Sequence, residues 1–125
     1  MLGVMAFEQV AHTAPAADSM RLMSTQCDAT GADGSEGFTV FEGSVARLDE
    51  VRSIHPFLTA LRQRLIDEGV LHPDGAGLRF AKPYVFASPS TAAGVVTGRN
   101  ANGRIEWKDS AGRTLKERQE AALGS

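Results

Sequence analysis

The alternation of apolar and polar positions in the first half of the chain predicts two β-strands. MRLMSTQC (residues 20–27) is compatible with one strand, and GFTVFEGS (residues 37–44) predicts another, with Phe38 and Val40 on the same face. Between them, DATGADGSEG (residues 28–37) is rich in Gly and Asp and predicts a turn. Together these segments predict a hairpin or a longer antiparallel meander.

The longest apolar stripe with helical spacing follows, and it predicts a helix from Pro56 to about Glu68. His55 can cap this helix, and proline suits its first position because the missing N–H would have no partner there. The stripe comprises Phe57, Leu58, Leu61, Leu65 and Ile66. Charged side chains such as Arg62 are expected largely off the stripe, and Gly69 suits the left-handed position after the helix end.

Pro and Gly divide the next part of the chain into short elements. HPDGAG (residues 72–77) predicts a turn, and LRFAKPYVF (residues 78–86) predicts a strand that is bent or broken at Pro83. Ser88 is a good N-cap, and the proline after it fits the first helical position. These signals predict a short helix that ends at Gly98.

The last part of the chain is predicted to contain a turn and a strand. Asn102-Gly103 favours a tight turn. RIEWKDS (residues 104–110) predicts a strand with Ile105 and Trp107 on one face, which places Trp107 in the core. TLKERQEAA (residues 114–122) predicts a short terminal strand or helix.

These elements predict one α+β domain with a small, mainly antiparallel sheet, one longer amphipathic helix and one short helix. The chain has 125 residues, a length typical of a single domain. We place this domain at residues 20–118. Because AHTAPAAD has the composition of a linker, residues 1–19 are predicted to form a flexible tail, and residues 119–125 a fraying C-terminal tail.

The composition is that of an ordinary globular domain, with 42% hydrophobic and 22% charged residues. No apolar run approaches the roughly 18 residues that a membrane span needs. The opening MLGVMAFEQV lacks the basic start of a signal peptide. Cys27 is the only cysteine, and an unpaired thiol favours a reducing compartment, so we expect a cytoplasmic protein.

Patterns typical of catalysis or metal binding are not evident in the sequence. His12, His55 and His72 are scattered, without the spacing of a zinc site. Cys27 stands beside Asp28 and lacks the basic neighbours that would activate a thiolate. We therefore expect neither enzymatic activity nor a bound metal ion or cofactor.

The segment after Ser88 favours binding instead, whereas the charge balance alone is typical of a solvated surface. Residues 1–36 carry one basic and five acidic side chains, whereas residues 37–118 carry twelve basic and nine acidic ones, which permits contact with a polyanion. The N-terminus of the short helix can hold a phosphate, and the Asn, Arg and Lys side chains beyond it can bind phosphates or base edges. The candidate DNA-binding residues are Ser88, Ser90, Thr91, Arg99, Asn100, Asn102, Arg104 and Lys108.

The segment YVFASPSTAAGVVTGRNANGRIEWKDSAGRTLKE (residues 84–117) resembles a bacterial family named domain of unknown function 4357. GFTVFEGSVAR and LRQRLIDEGVL precede it in the order typical of that family, so the resemblance covers roughly residues 20–118. Members of the family typically follow GIY-YIG nuclease domains or belong to restriction and modification-related proteins. The resemblance therefore implies an accessory role in DNA recognition, without nuclease activity.

The same run is similar to a domain associated with restriction enzymes and adenine methylases, in which a Ser-x-Ser-Ala-Ala helix leads into Asn-Gly-Trp. Here Arg104 stands in place of that Trp. This likeness implies that modified DNA is one candidate ligand and that a separate nuclease or methylase subunit is one candidate partner. The leading hypothesis is thus non-catalytic DNA binding in a restriction or DNA-processing context. The alternative is a protein-interaction module that docks a nuclease or a second copy of the chain, and no membrane partner is expected.

Overall fold

The computed structural model describes residues 19–75 and 77–124 as an α+β fold. The described strands are β1 (Met20–Met23), β2 (Asp28–Gly34), β3 (Gly37–Val40), β4 (Val45–Arg47), β5 (Leu71–Asp74), β6 (Gly77–Phe80) and β7 (Tyr84–Phe86). The described helices are α1 (Pro56–Asp67), α2 (Pro89–Thr97), α3 (Gly103–Glu106) and α4 (Leu115–Gly124). The predicted flexible tail falls almost entirely outside the described residues, and the fraying of the other tail stays a prediction.

The strands form one sheet in the order β5-β6-β4-β2-β3-β7, with β1 paired to β2. Every strand pair in the described part of the chain is antiparallel, which confirms the predicted fold class. Helices α1 and α2 pack together, and α2 also contacts β3, β4 and β7. The core therefore lies between the sheet and these two helices, and Phe38 and Val40 are fully buried in it as predicted.

The turn predicted over residues 28–37 is wrong for most of that segment. Residues 28–34 form β2, which pairs with both β1 and β3, and the turn is confined to Ser35 and Glu36. Glycine is needed at Gly31 because a Cβ there would lie 2.3 Å from the Thr39 carbonyl oxygen and 2.6 Å from the Phe38 ring. The glycine therefore allows close packing within a strand and does not mark a turn.

The turn predicted over residues 72–77 is also largely wrong. His72, Pro73 and Asp74 belong to β5, which forms a hairpin with β6 through a turn at Gly75. Strand β5 stands at the end of the strand order, and an edge strand tolerates a proline that cannot donate to the ladder. The predicted break at Pro83 is confirmed, because it lies between β6 and β7.

Helix α1 begins and ends close to the predicted positions. The Nδ1 atom of His55 accepts a hydrogen bond from the Phe57 backbone N–H at 3.0 Å, and Gly69 has a φ of 81° after the helix end. The predicted stripe is wrong at Phe57, which is 56% exposed, and Arg62, expected off the stripe, is 2% exposed. Arg62 falls on the buried face because it lies four positions after the buried Leu58.

Helix α2 matches its prediction, but the strand predicted over residues 104–110 is wrong. Residues 103–106 form α3, a single turn in which the Asn102 side chain accepts a hydrogen bond from the Arg104 N–H at 3.0 Å. The tight turn places Ile105, 49% exposed, away from Trp107, which is fully buried as predicted. Beyond the turn, Lys108 forms isolated bridges with Arg21 and Thr114, and the terminal segment is helical.

Candidate nucleic-acid interface

The hydroxyl groups at the start of α2 make hydrogen bonds within the fold. The Ser88 Oγ accepts a hydrogen bond from the Thr91 N–H at 3.1 Å and lies 3.1 Å from the Thr91 hydroxyl. The Ser90 Oγ accepts a hydrogen bond from the Gly103 N–H at 2.9 Å, which joins α2 to α3. These half-buried side chains thus hold the helix start, and a role in phosphate binding stays a prediction for them.

The two candidate asparagines hold loops. The Asn100 side chain accepts a hydrogen bond from the His55 N–H at 2.8 Å and donates one to the Ser53 carbonyl at 3.1 Å. Asn102 caps α3 as described above. Both side chains are exposed, but their amide oxygens already accept backbone hydrogen bonds, so base reading by either residue stays a prediction.

The candidate cations divide into two groups. The Arg104 Nε donates a hydrogen bond to the Gln119 Oε1 at 2.9 Å, so this side chain extends towards α4. Arg99 and Lys108 instead line the same concave surface, although nine positions separate them in the chain. Among the candidate residues, these two share this concave surface, whereas Ser90, Thr91 and Asn100 line a separate shallow cavity.

We name this concave surface the basic groove. It is a cavity of about 620 Å³ that two further cations line with Arg99 and Lys108. Its lining includes the cations Arg21, Arg47, Arg99 and Lys108, the polar residues Ser24, Thr25, Gln26 and Thr97, the apolar residues Met23 and Ile105, and the carboxylates Glu106 and Asp109. Cations therefore outnumber carboxylates among the charged residues that line the basic groove.

The arginines of the basic groove form ion pairs near the surface. Shortest distances between partners are 2.8 Å for Arg21 with Asp28, 2.7 Å for Arg47 with Asp49 and 3.1 Å for Arg99 with Glu106. Hydrogen bonds from Arg21 and Arg47 lower the pKa of Asp28 and Asp49, so both carboxyl groups are ionised at neutral pH. Ion pairs this accessible to water contribute little to stability, so a phosphate can compete for the guanidinium groups.

Pairing with β1 fixes the backbone of Lys108, and its side-chain ammonium group is available to a ligand. Its backbone exchanges two hydrogen bonds with Arg21, at 2.7 and 3.0 Å. Its exposed ammonium group has no ion-pair partner within residues 19–75 and 77–124. The backbone pairing therefore sets the Arg21 and Lys108 side chains on neighbouring parts of the same groove.

Asp109 has a structural role in the groove wall. Its Oδ1 atom accepts hydrogen bonds from the backbone N–H groups of Ala111 at 3.0 Å and Arg113 at 2.9 Å, and Oδ2 lies 3.2 Å from the Arg113 Nε. Hydrogen bonds from the Arg113 and Ala111 backbones, together with nearby arginine charges, lower the pKa of Asp109. The ionised carboxylate thus holds the loop that forms one wall of the basic groove.

A pH-dependent contribution to stability is expected from Asp109. Because folding lowers the pKa of Asp109, its stabilisation is present at neutral pH and is lost as the pH falls through the folded-state pKa. Asp109→Asn keeps an acceptor oxygen but does not titrate, so its urea midpoint should fall less than that of the wild type between neutral pH and about pH 3. Asp67→Asn, at an exposed carboxylate, is the control. Equal losses in the wild type and Asp109→Asn would contradict the assignment.

Sequence reasoning missed Arg21, Arg47 and Gln26 as members of the groove. No local pattern connects these positions to Arg99 or Lys108, because the sheet register brings them together. Gln26 lies in the loop of residues 24–27, of which residues 24–26 are exposed. In this loop the Ser24 N–H donates a hydrogen bond to the Cys27 carbonyl at 2.8 Å. The Gln26 side-chain amide has no hydrogen-bond partner in the described part of the chain.

No group of three or more His, Cys, Asp or Glu side chains that could hold a metal ion occurs within the described ranges. No helix there is long and apolar enough to cross a membrane. The buried thiol of Cys27 lies 3.2 Å from the Ser24 hydroxyl. The expected lack of cofactor and of enzymatic activity stays a prediction.

Comparison with known proteins adds one finding. The model of one family matches residues 20–119, which is most of the chain, and its description is "Domain of unknown function". No curated protein and no solved structure is significantly similar to the chain. The match includes all strands described above and the lining of the basic groove. The chain therefore belongs to the domain of unknown function family DUF4357.

Proposed function

We propose that this chain is a non-catalytic DNA-binding module that holds the sugar–phosphate backbone in the basic groove, and that it acts in a restriction or DNA-processing context. One observation carries the proposal. Arg21, Arg47, Arg99 and Lys108 come from distant parts of the chain and line one concave surface. Clustered cations on one face are the electrostatic footprint of a nucleic-acid-binding protein.

The charge balance of the groove is compatible with phosphate binding. Glu106 and Asp109 also line the groove, but Asp109 accepts hydrogen bonds from its own loop and lies near Arg113 and Arg118. Glu106 is paired with Arg99 through an accessible contact. A phosphate that replaces Glu106 as the partner of Arg99 also releases counterions from the DNA, which favours binding at low salt.

Base recognition in this proposal is assigned to Gln26. Phosphate contacts set position but carry no direct sequence information, so specificity needs a side chain that reaches a base edge. The free amide of Gln26 lines the groove together with the cations, and a glutamine side chain can pair with the N6 and N7 atoms of adenine. Methylation of adenine at N6 changes this edge, so we expect the affinity for a duplex with methylated adenine to differ from that for the unmodified duplex, and a duplex with methylated cytosine is the comparison.

The test is a titration of labelled duplex DNA with the wild type and with Arg99→Ala/Lys108→Ala, at about 50 and about 200 mM salt. Removing two phosphate contacts is expected to weaken binding about tenfold or more at the lower salt and to reduce the salt slope by about 2. The control variant, Arg64→Ala/Lys116→Ala, removes the same charge outside the groove lining and should bind close to the wild type.

Two outcomes would contradict this proposal. Equal weakening in both double variants would show that net charge, and not the basic groove, determines binding. Absence of binding to any DNA at low salt would remove the proposal altogether.

Protein docking is the second candidate function, and an exposed aromatic ring favours it. Phe57 is 56% exposed and lies beside a shallow cavity of about 280 Å³ that Leu58 and Ala101 also line. One exposed ring and a single shallow cavity offer much less contact area than the roughly 1,000 Å² or more that a specific complex buries. Docking therefore ranks below DNA binding. It becomes the leading candidate if the titrations detect no DNA binding.

A further inference from the structure

We infer that the basic groove binds unpaired nucleotides, as in single-stranded DNA, in preference to an intact duplex. The inference rests on the proposed function and names its ligand more closely. It follows from two features: the described elements offer no cationic ridge that fits a duplex groove, and the concave surface combines cations with exposed apolar side chains.

A duplex is usually read by a helix or a two-stranded ribbon that enters its major groove. Helix α2 is unsuited to this role because residues 92–97 are all buried. Helix α3 has four residues. The exposed face of α1 mixes Arg64 with Asp67, and that of α4 mixes Lys116 with Glu117 and Glu120. Among the described helices, none therefore presents a row of free cations to a major groove.

The three hairpin ribbons of adjacent strands are no better suited to a duplex. The β1–β2 ribbon carries one cation, Arg21, which is paired with Asp28 at 2.8 Å. The β2–β3 turn carries exposed acidic residues, Asp33 and Glu36, which repel phosphates. The β5–β6 ribbon carries Asp74 paired with Arg79 at 2.9 Å, so its charge is balanced. The basic groove instead brings four cations to one concave surface. Lys108 among them has no ion-pair partner in the described part of the chain, so the groove suits a polyanionic ligand better than any of these ribbons.

The basic groove has the composition of a site for separated bases. Its lining includes Met23, 63% exposed, and Ile105, 49% exposed, among the four cations. Proteins that hold bases outside a stack use apolar or aromatic side chains against the base faces and cations along the backbone. A volume of about 620 Å³ is also within the range of cavities that bind small ligands.

The energy of base exposure favours the single strand. The face of a base is covered by its neighbours in a duplex, so it can pack against Ile105 only after the base has left the stack. Extruding one base from a duplex costs roughly a few kcal/mol. An unpaired strand avoids most of this cost. The difference favours single-stranded over duplex DNA even when the phosphate contacts are the same.

The loop of residues 24–27 limits how far the strand can extend. A second cavity of about 450 Å³ shares this loop, and three carboxylates, Asp28, Asp49 and Asp74, line it with a single cation, Arg47. These carboxylates oppose a phosphate backbone, so the second cavity does not continue the path of the strand. We therefore expect the ligand to be a short stretch of nucleotides within the basic groove.

The test compares a labelled single strand of about 12 nucleotides with the duplex formed from the same strand, by fluorescence polarisation at about 50 mM salt. We expect the single strand to bind at least about tenfold more tightly. Ile105→Ser should weaken single-strand binding several-fold at unchanged thermal stability, because the side chain is half exposed. Phe57→Ser, at an exposed apolar residue outside the groove, is the matched control and should bind the single strand like the wild type.

The outcomes separate this inference from the proposed function. Duplex binding that equals or exceeds single-strand binding overturns the inference, and so does unchanged single-strand affinity in Ile105→Ser. In either case the proposed function stands if Arg99→Ala/Lys108→Ala still weakens DNA binding. Failure of both DNA forms to bind overturns the proposed function and the inference together.

Discussion

Replacing Trp107 with alanine is expected to lower the free energy of unfolding by about 3–5 kcal/mol. The ring is fully buried, and its centroid lies 4.5 Å from that of Phe38. Its Nε1 donates a hydrogen bond to the Pro89 carbonyl at 3.1 Å. Alanine would leave a cavity beside Phe38 and a carbonyl without this donor, and both changes favour the unfolded state.

Urea denaturation followed by circular dichroism measures this effect. The control is Ile105→Ala, two positions away, which should change stability by less than about 1 kcal/mol because its side chain is half exposed. Small domains have roughly 5–15 kcal/mol of stability, so the Trp107→Ala variant should unfold at a much lower urea concentration. A similar midpoint for both variants would mean that Trp107 and Ile105 share one environment, as the predicted strand requires.

Arg62→Ala is the second substitution expected to have a large effect, with a loss of about 3–5 kcal/mol. The guanidinium group is buried, and its Nε lies 3.0 Å from the Glu50 Oε2 as an ion pair. Its other nitrogens donate hydrogen bonds to the carbonyls of Val95, Arg47 and Leu48. Burial lowers the pKa of Arg62, although the charge of Glu50 opposes this shift. Alanine leaves Glu50 and these carbonyls without their partner.

The matched control for Arg62→Ala is Arg64→Ala on the same helix. Arg64 is exposed, and its contact with Glu68 is 3.6 Å long, so its loss should change stability by less than about 1 kcal/mol. Arg62→Met should retain more stability than Arg62→Ala, because a methionine fills much of the vacated volume. The urea midpoints of Arg62→Ala, Arg62→Met and Arg64→Ala give the order of their stabilities. A loss of less than about 1 kcal/mol in the free energy of unfolding for Arg62→Ala would contradict its structural role.

The helix boundaries could be predicted because capping is a local property of the sequence. His55 and Ser88 each precede a proline, and each side chain accepts a backbone hydrogen bond within the next turn. Gly69 and Gly98 adopt positive φ angles directly after the helices. Such signals depend on a few neighbouring residues, so no knowledge of the remaining fold is required.

Glycines that serve long-range packing were not predictable in the same way. Gly31 lies within a strand, and it must be a glycine because the Phe38 ring occupies the space that a side chain would need. A Cβ at Gly103 would lie 2.1 Å from the Pro89 carbonyl carbon, so this glycine allows α3 to approach the start of α2. In the sequence both positions resemble ordinary turn glycines, and only the three-dimensional contacts show the difference.

The candidate site was predictable in part for a related reason. Arg99 and Lys108 lie in the segment whose sequence suggests binding, and they do line one groove. Arg21 and Arg47 join them only through sheet pairing, which the sequence does not specify at this range. The serine and asparagine side chains of the same segment also act as caps and loop contacts, because the residue types that suit ligand binding also suit those roles.

The position of β1 has a consequence for any protein joined ahead of it. Residue 19 leads directly into β1, and Arg21, near the start of that strand, lines the basic groove. On the proposed function, a DNA-bound partner joined there by a short flexible linker would hold its DNA near the groove at an effective concentration on the order of millimolar. Under that tether, a groove with modest intrinsic affinity would still be largely occupied.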